Sequence, residues 1–108
     1  MFGFLKSLLP DPQPTTAEIK DKISAGALVV DVRNPGEWQQ GHLPEAKLLP
    51  LPELNAQLAK LESWCNGDRE KDIVVYCASG MRSGRARKIL QSAGFPNVHN
   101  GGALANLR

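Results

Sequence analysis

The chain has 108 residues, enough for one domain with a single core and no need of disulfide staples. An apolar share of 42% and a charged share of 22% are those of an ordinary globular protein, and a formal charge of +2 is too small to argue for nucleic acid as a partner. No stretch approaches the roughly 20 apolar residues of a membrane span, so no stable membrane insertion is expected.

At the start of the chain, Phe2, Leu5, Leu8 and Leu9 could form one apolar side of a short helix. Met1 to Leu9 carries one lysine, a broken apolar run and no cleavage site, so it does not read as a signal peptide. The expected compartment is the cytoplasm, where thiols stay reduced. Pro10-Asp11-Pro12-Gln13-Pro14 reads as a linker, because repeated prolines forbid regular hydrogen bonding. Residues 1–14 are therefore a tail and linker, and 15–108 the domain.

Thr15-Thr16-Ala17-Glu18 predicts a capping box and a helix ending near Gly26. Ala27 to Val32 is a continuous apolar run of strand length, as in a parallel sheet buried on both faces. Asn34-Pro35-Gly36-Glu37 starts a brief helix, with Asn as cap, Pro at the first position and Gly41 as its close. Ala46 to Leu49 predicts a short strand. Leu51, Leu54, Leu58 and Leu61 predict a helix ending around Cys65, with a turn at Asn66-Gly67. Asp72 to Tyr76 is the central strand and Ser83 to Ala93 the next helix, on which Ala86, Ile89, Leu90 and Ala93 share a face. Gly94-Phe95-Pro96 stops it, and Asn97 to His99 is a last short strand. Strands alternating with helices predict an α/β fold with a parallel sheet of about four to five strands and helices on both faces.

In such folds sites lie at the carboxyl ends of strands, which is where Asp31-Val32-Arg33 and Cys77 both fall. Loop amides and a helix N-terminus after Cys77 favour negative charge there, so its thiol pKa should fall and a thiolate nucleophile become available. The amides from Ala78 through Ser79, Gly80, Met81 and Arg82 to Ser83 are the expected donors, and Gly80 allows a tight turn. Arg82, Arg85, Arg87 and Lys88 suggest an anionic small substrate or an acidic partner surface; a solvated helix face is the plainer reading of Arg87 and Lys88. Arg82 has two roles open: to bind an oxyanion, or to brace the loop through a carboxylate such as Asp31. Asp31 and Arg33 read as a supporting pair, His42 as a structural residue in a turn, and Cys65 as a packed hydrophobe. Two histidines and two well-separated cysteines do not make a zinc site of short ligand spacing.

Cys77-x-x-Gly80-x-Arg82 after a hydrophobic strand resembles the active-site loop of the rhodaneses, sulfurtransferases that carry sulfur as a cysteine persulfide. Asp31-Val32-Arg33, Glu37-Trp38, Gly41-His42-Leu43-Pro44 and Gly101-Gly102 are similar to further motifs of that family, in its order, from about Thr15 to Gly102. The resemblance implies a small twisted sheet between two helical layers, no cofactor, a small anionic sulfur donor such as thiosulfate and an acceptor such as cyanide or a protein thiol. Glu45 and Leu48, and the lack of a tryptophan in Leu104–Leu107, depart from the family pattern, and a first strand before the first helix has little support. Cysteine phosphatases and arsenate reductases are the rival enzyme class, but the phosphatase loop sets one more residue between cysteine and arginine, and here Ser83 stands at that place. A persulfide carrier without turnover, or a binding module of the same fold, remains the other alternative.

Overall fold

The computed structural model of this chain describes residues 13–108, so the expected N-terminal helix and the linker up to Pro12 lie outside the described residues. Thr15 Oγ1 accepts from the Glu18 amide and Glu18 Oε1 from the Thr15 amide, both at 3.1 Å, and this reciprocal cap starts helix α1 (Thr16–Ser24). Strand β1 (Leu28–Asp31) is buried along its whole length. A second capping box, Asn34 with Glu37, opens helix α2 (Pro35–Gln39), and strand β2 (Lys47–Leu48) comes next. The remaining elements are α3 (Leu58–Trp64), β3 (Ile73–Cys77), α4 (Met81–Ser92), β4 (Val98–Ala103) and α5 (Leu104–Leu107). Among the described residues no strand precedes α1.

All four strands run parallel in the order β2-β1-β3-β4. Alternate side chains of each strand point to opposite faces, and the core divides accordingly. Val30, Val32, Val75 and Cys77 pack with Leu61, Ala86, Leu90 and Phe95 beneath α3 and α4. Val29, Val74 and Tyr76 pack with Ile19, Leu104 and Leu107 beneath α1 and α5. Helices thus cover both faces, as the alternating pattern predicts.

Three elements differ from the sequence expectation. The helix expected from Leu51 onward begins as two 3-10 turns, Leu51–Glu53 and Asn55–Gln57, before α3 forms. Pro52 stands in the first of these turns, where a missing N–H is tolerated, so the proline does not by itself explain the break. Leu54 and Leu61 are nevertheless fully buried, so the apolar spacing served the core without a continuous helix. Helix α4 starts two residues early, at Met81, because Gly80 turns the chain in a left-handed conformation (φ 94°). The last strand reaches Ala103 rather than His99, and takes in Gly101 and Gly102.

That extension carries a bulge. Val75 pairs with Asn100 but Tyr76 pairs with Gly102, which leaves Gly101 as the extra residue of β4. No side chain fits there: a Cβ on Gly101 would lie 2.9 Å from Val74 Cγ1 and 3.1 Å from the Val75 carbonyl oxygen. Gly101→Ala should destabilise the fold by about 1–3 kcal/mol through overpacking. Urea denaturation checks this, and an unchanged midpoint would mean that β4 can shift away from β3 at no cost.

Candidate active site

Cys77 ends β3 one residue beyond Tyr76, whose partner across the sheet is Asp31 at the end of β1, so the two motifs share one rim. Cys77 is fully buried. The Gly80 amide donates to its Sγ at 2.9 Å and the Ser83 amide at 3.4 Å, and Ser83 Oγ lies 3.3 Å away. Burial pushes the thiol pKa up. The hydrogen bonds of the Ser83 hydroxyl and of the Ser83, Ser79 and Gly80 amides outweigh it, so the net displacement is below the ordinary thiol value. Ala78, Ser79 and Met81 face solvent, and the loop's inward contacts on sulfur are concentrated at Gly80 and Ser83.

Asn100, one residue before the bulge, holds this loop from the neighbouring strand. Its Oδ1 accepts from the Gly102 amide at 2.9 Å and from Ser83 Oγ at 2.7 Å, while its Nδ2 donates to the Gly80 carbonyl at 3.1 Å. The Gly102 N–H can only donate, which fixes Oδ1 on that side and makes the Ser83 hydroxyl the donor to it. Ser83 has one proton. With that proton on Asn100, the Ser83 oxygen accepts from the neutral Cys77 thiol. When the thiol ionises, the hydroxyl must turn from Asn100 to the sulfur. Asn100 therefore both shapes the loop and competes for the proton that would stabilise the thiolate. From sequence, Asn100 shows only as a polar residue before a glycine pair; its role depends on the bulge and on the pairing of β4 with β3.

Arg82 is braced by Glu37 rather than by Asp31. Its two terminal nitrogens meet the two Glu37 oxygens at 2.6 and 2.9 Å, a bidentate pair that holds the Glu37 carboxyl at about 2. Asp31 is taken by Arg33, which donates through Nε, Nη2 and its own amide at 2.6 to 3.0 Å. Arg33 Nη2 also donates to the Gly41 carbonyl at 2.7 Å, and the Leu43 amide donates to the Tyr76 hydroxyl at 3.1 Å, so the Gly41–Pro44 turn is tied to the strand ends. Glu37 is legible in the sequence as a helix-capping residue, and nothing local announces its pairing with Arg82.

His42 stacks on Trp38 with ring centroids 3.4 Å apart and donates from Nδ1 to the Trp38 carbonyl at 2.8 Å. His99 pairs with Asp72 at the opposite end of β3. Cys65 is buried in the core, which pushes its thiol up, the reverse of Cys77.

The family model of the rhodanese-like domain matches residues 15–102. The thiosulfate sulfurtransferase PspE of Escherichia coli is 35% identical over 78 residues, which cover 72% of this chain and 71% of that protein. The structure of the human single-domain sulfurtransferase TSTD1 superposes with a TM-score of 0.74 at 25% identity, covering 90% of this chain and 95% of that one. A tRNA uridine(34) hydroxylase of Sodalis glossinidius is 35% identical over 74 residues, but the chain spans only 21% of that longer protein.

Two substitutions probe the hydrogen bonds on the sulfur. Alkylation of Cys77, read in a Cys65→Ala background, should rise with pH through a midpoint below the free-thiol value of about 8.5, because the thiolate is the reactive form and its pKa is lowered. Ser83→Ala removes a donor. Asn100→Asp holds the Ser83 proton more tightly and adds negative charge. Both should move the midpoint up. A midpoint that stays put in both variants would show that the amides alone set the acidity.

Proposed function

Because the chain belongs to the rhodanese-like domain family, we propose that it is a sulfurtransferase that moves sulfane sulfur from thiosulfate, or a similar small anionic donor, to cyanide or a thiol through a persulfide on Cys77. In the first half-reaction the Cys77 thiolate attacks the outer sulfur of thiosulfate. The sulfur–sulfur bond of the donor breaks and its electron pair leaves with sulfite. In the second, the acceptor attacks the terminal sulfur of the persulfide, and the breaking bond returns its electron pair to Cys77 Sγ. Electrons move only within sulfur bonds, so neither half-reaction calls for a cofactor. A reducing compartment such as the cytoplasm would keep Cys77 ready between turnovers.

The observation that carries this reading is the convergence of the Gly80 and Ser83 amides and the Ser83 hydroxyl on one sulfur. Donors aimed at a fixed anion stabilise the thiolate as nucleophile and again as leaving group. A binding module would have no need of an acidic thiol at the end of its central strand. Phosphate or arsenate chemistry is disfavoured by the shorter loop and by the commitment of both terminal nitrogens of Arg82 to Glu37, whose carboxylate would repel an oxyanion seated beside it. The same commitment supports the bracing role for Arg82, with sulfonate binding the second reading.

Intact mass after mixing with thiosulfate should show a gain of roughly 32 Da, the sulfur captured by the nucleophile. Cys77→Ala should abolish that gain and thiocyanate formation, and Cys65→Ala should leave both nearly intact. An active Cys77→Ala protein would sink the assignment. Hydrolysis of p-nitrophenyl phosphate should be negligible beside sulfur transfer.

Arg82 and Glu37 separate by kinetics and pH. Loss of the brace, in Arg82→Ala or Glu37→Gln, should lower kcat and move the Cys77 titration upward, whereas lost sulfonate binding would mainly raise KM in Arg82→Ala alone. Glu37 is held at about 2 against an ordinary 4.5, so its stabilising contribution is complete above about 4.5 and is lost only as pH falls toward 2. A decline in sulfur loading that sets in above about 4.5 should therefore track the Cys77 thiol and not the Glu37–Arg82 pair.

A further inference from the structure

The outward side of α4 carries charge that the fold does not use. Its sequence, Met81 to Ser92, holds four cations and no acid, and no acidic residue stands in its first turn. Positive charge near a helix N-terminus opposes the helix dipole, so this arrangement does not serve the helix. Arg82 is neutralised by Glu37, and Arg87 donates from Nε to the Val98 carbonyl at 3.0 Å. Arg85 and Lys88 are exposed, and among the described residues no carboxylate pairs with either. Met81, one turn before Arg85 on the same side, is 79% exposed and is the only large hydrophobic residue exposed among the described residues.

These three side chains border the sulfur loop. Gly80, Met81, Arg85 and Lys88 are among the residues that line one cleft, with Gln13 and Arg87 at it too, and Ser79, Met81, Arg82 and Arg85 line a second. Met81 and Arg85 belong to both, so they form a ridge between two clefts that each begin on the loop. Cyanide or thiosulfate needs only the loop. A ridge with one apolar contact and two cations about a helical turn apart, unpaired with carboxylates among the described residues, fits something larger, with carboxylates around an apolar side chain.

Resting on the sulfurtransferase reading above, we propose that this ridge docks the protein that receives the persulfide sulfur, a thiol protein whose cysteine lies beside an apolar side chain within an acidic rim. Exposed charges of this kind act mainly on the rate and orientation of encounter. The transfer itself is balanced. The partner's thiolate attacks the terminal sulfur of the Cys77 persulfide, a new sulfur–sulfur bond forms on the partner, and the electron pair of the broken bond remains on Cys77 Sγ. RNA fits less well: its phosphates make no use of Met81, and no large aromatic side chain stands exposed among the described residues to stack a base.

The test uses the full chain loaded with sulfur and three acceptors: cyanide, a synthetic cysteine peptide with one leucine and four flanking aspartates or glutamates, and the same peptide with asparagine and glutamine in their place. At low salt the acidic peptide should take sulfur roughly tenfold faster than its amide counterpart, and the difference should fade in about 0.5 M salt as screening shortens the reach of the charges. In Arg85→Glu with Lys88→Glu the preference should vanish or invert, while transfer to cyanide stays within about twofold of the unaltered protein. Urea midpoints of the two proteins serve to show that the fold survives the reversal. Equal rates for the two peptides in the unaltered protein, or a preference that survives charge reversal, would overturn the proposal. A single-stranded RNA oligonucleotide that blocks transfer better than a cysteine-free acidic peptide of equal charge would reassign the surface to RNA. Absence of transfer to cyanide in the unaltered protein is a different failure, that of the sulfurtransferase reading itself.

Discussion

Cys77 is fully buried at the end of the central strand, where a charged sulfur would lose its hydration, and the site exists because the chain brings donors to it. Burial opposes ionisation; the Ser83 hydroxyl and three loop amides reverse the balance. Each donor has a structural requirement. The Gly80 amide turns inward because glycine accepts the left-handed conformation there, and the Ser83 amide is available because it lies in the first turn of α4, before the helix's own carbonyls can use it.

Geometry of this kind must be held against thermal loosening, and the surrounding strands supply the restraint. Asn100 ties the Gly80 carbonyl and Ser83 to β4, and it reaches them because the bulge at Gly101 changes the register between Val75 and Tyr76. On the other side, Glu37 performs two tasks with one carboxylate. Oε1 accepts from the Asn34 amide at 3.2 Å, which starts α2, and both oxygens hold Arg82. The five-residue helix α2 gains its place in the fold partly by presenting that carboxylate. The Asp31–Arg33 pair is the buried counterpart. Removing one partner of such a pair typically costs about 3–5 kcal/mol, because it strands a charge away from water. It stands at the end of β1, where Arg33 also donates to the Gly41 carbonyl.

Two cysteines in the same hydrophobic layer show how little residue type alone decides. Cys65 and Cys77 are equally buried, yet their thiols are displaced in opposite directions. At Cys65, which closes α3, desolvation is the largest influence and raises the thiol. At Cys77 the same desolvation is overcome, because the next six residues supply a left-handed glycine, a serine and a helix N-terminus.

Much of this is local and could be read from the sequence. Two capping boxes, the apolar runs at Leu28–Asp31 and Ile73–Cys77, the glycine that turns the loop and the helix behind it depend on neighbours within a few positions, and physical preferences act at that range. The parallel sheet arises from their alternation, and the placement of Cys77 and Asp31 on one rim arises from the sheet. Local signals also misled where a wider context overruled them. The leucines from Leu51 implied a continuous helix where the chain first makes two 3-10 turns, and the last strand, expected to end at His99, runs on to Ala103 through pairing with Tyr76 and Cys77. What only the tertiary structure decided is which side chains meet. Arg82 finds a carboxylate 45 residues away, and Ser83 and Gly80 find an amide 17 and 20 residues away. No spacing rule encodes such pairings, because they arise only when parallel strands bring their carboxyl ends side by side and a single bulge aims one side chain across the gap.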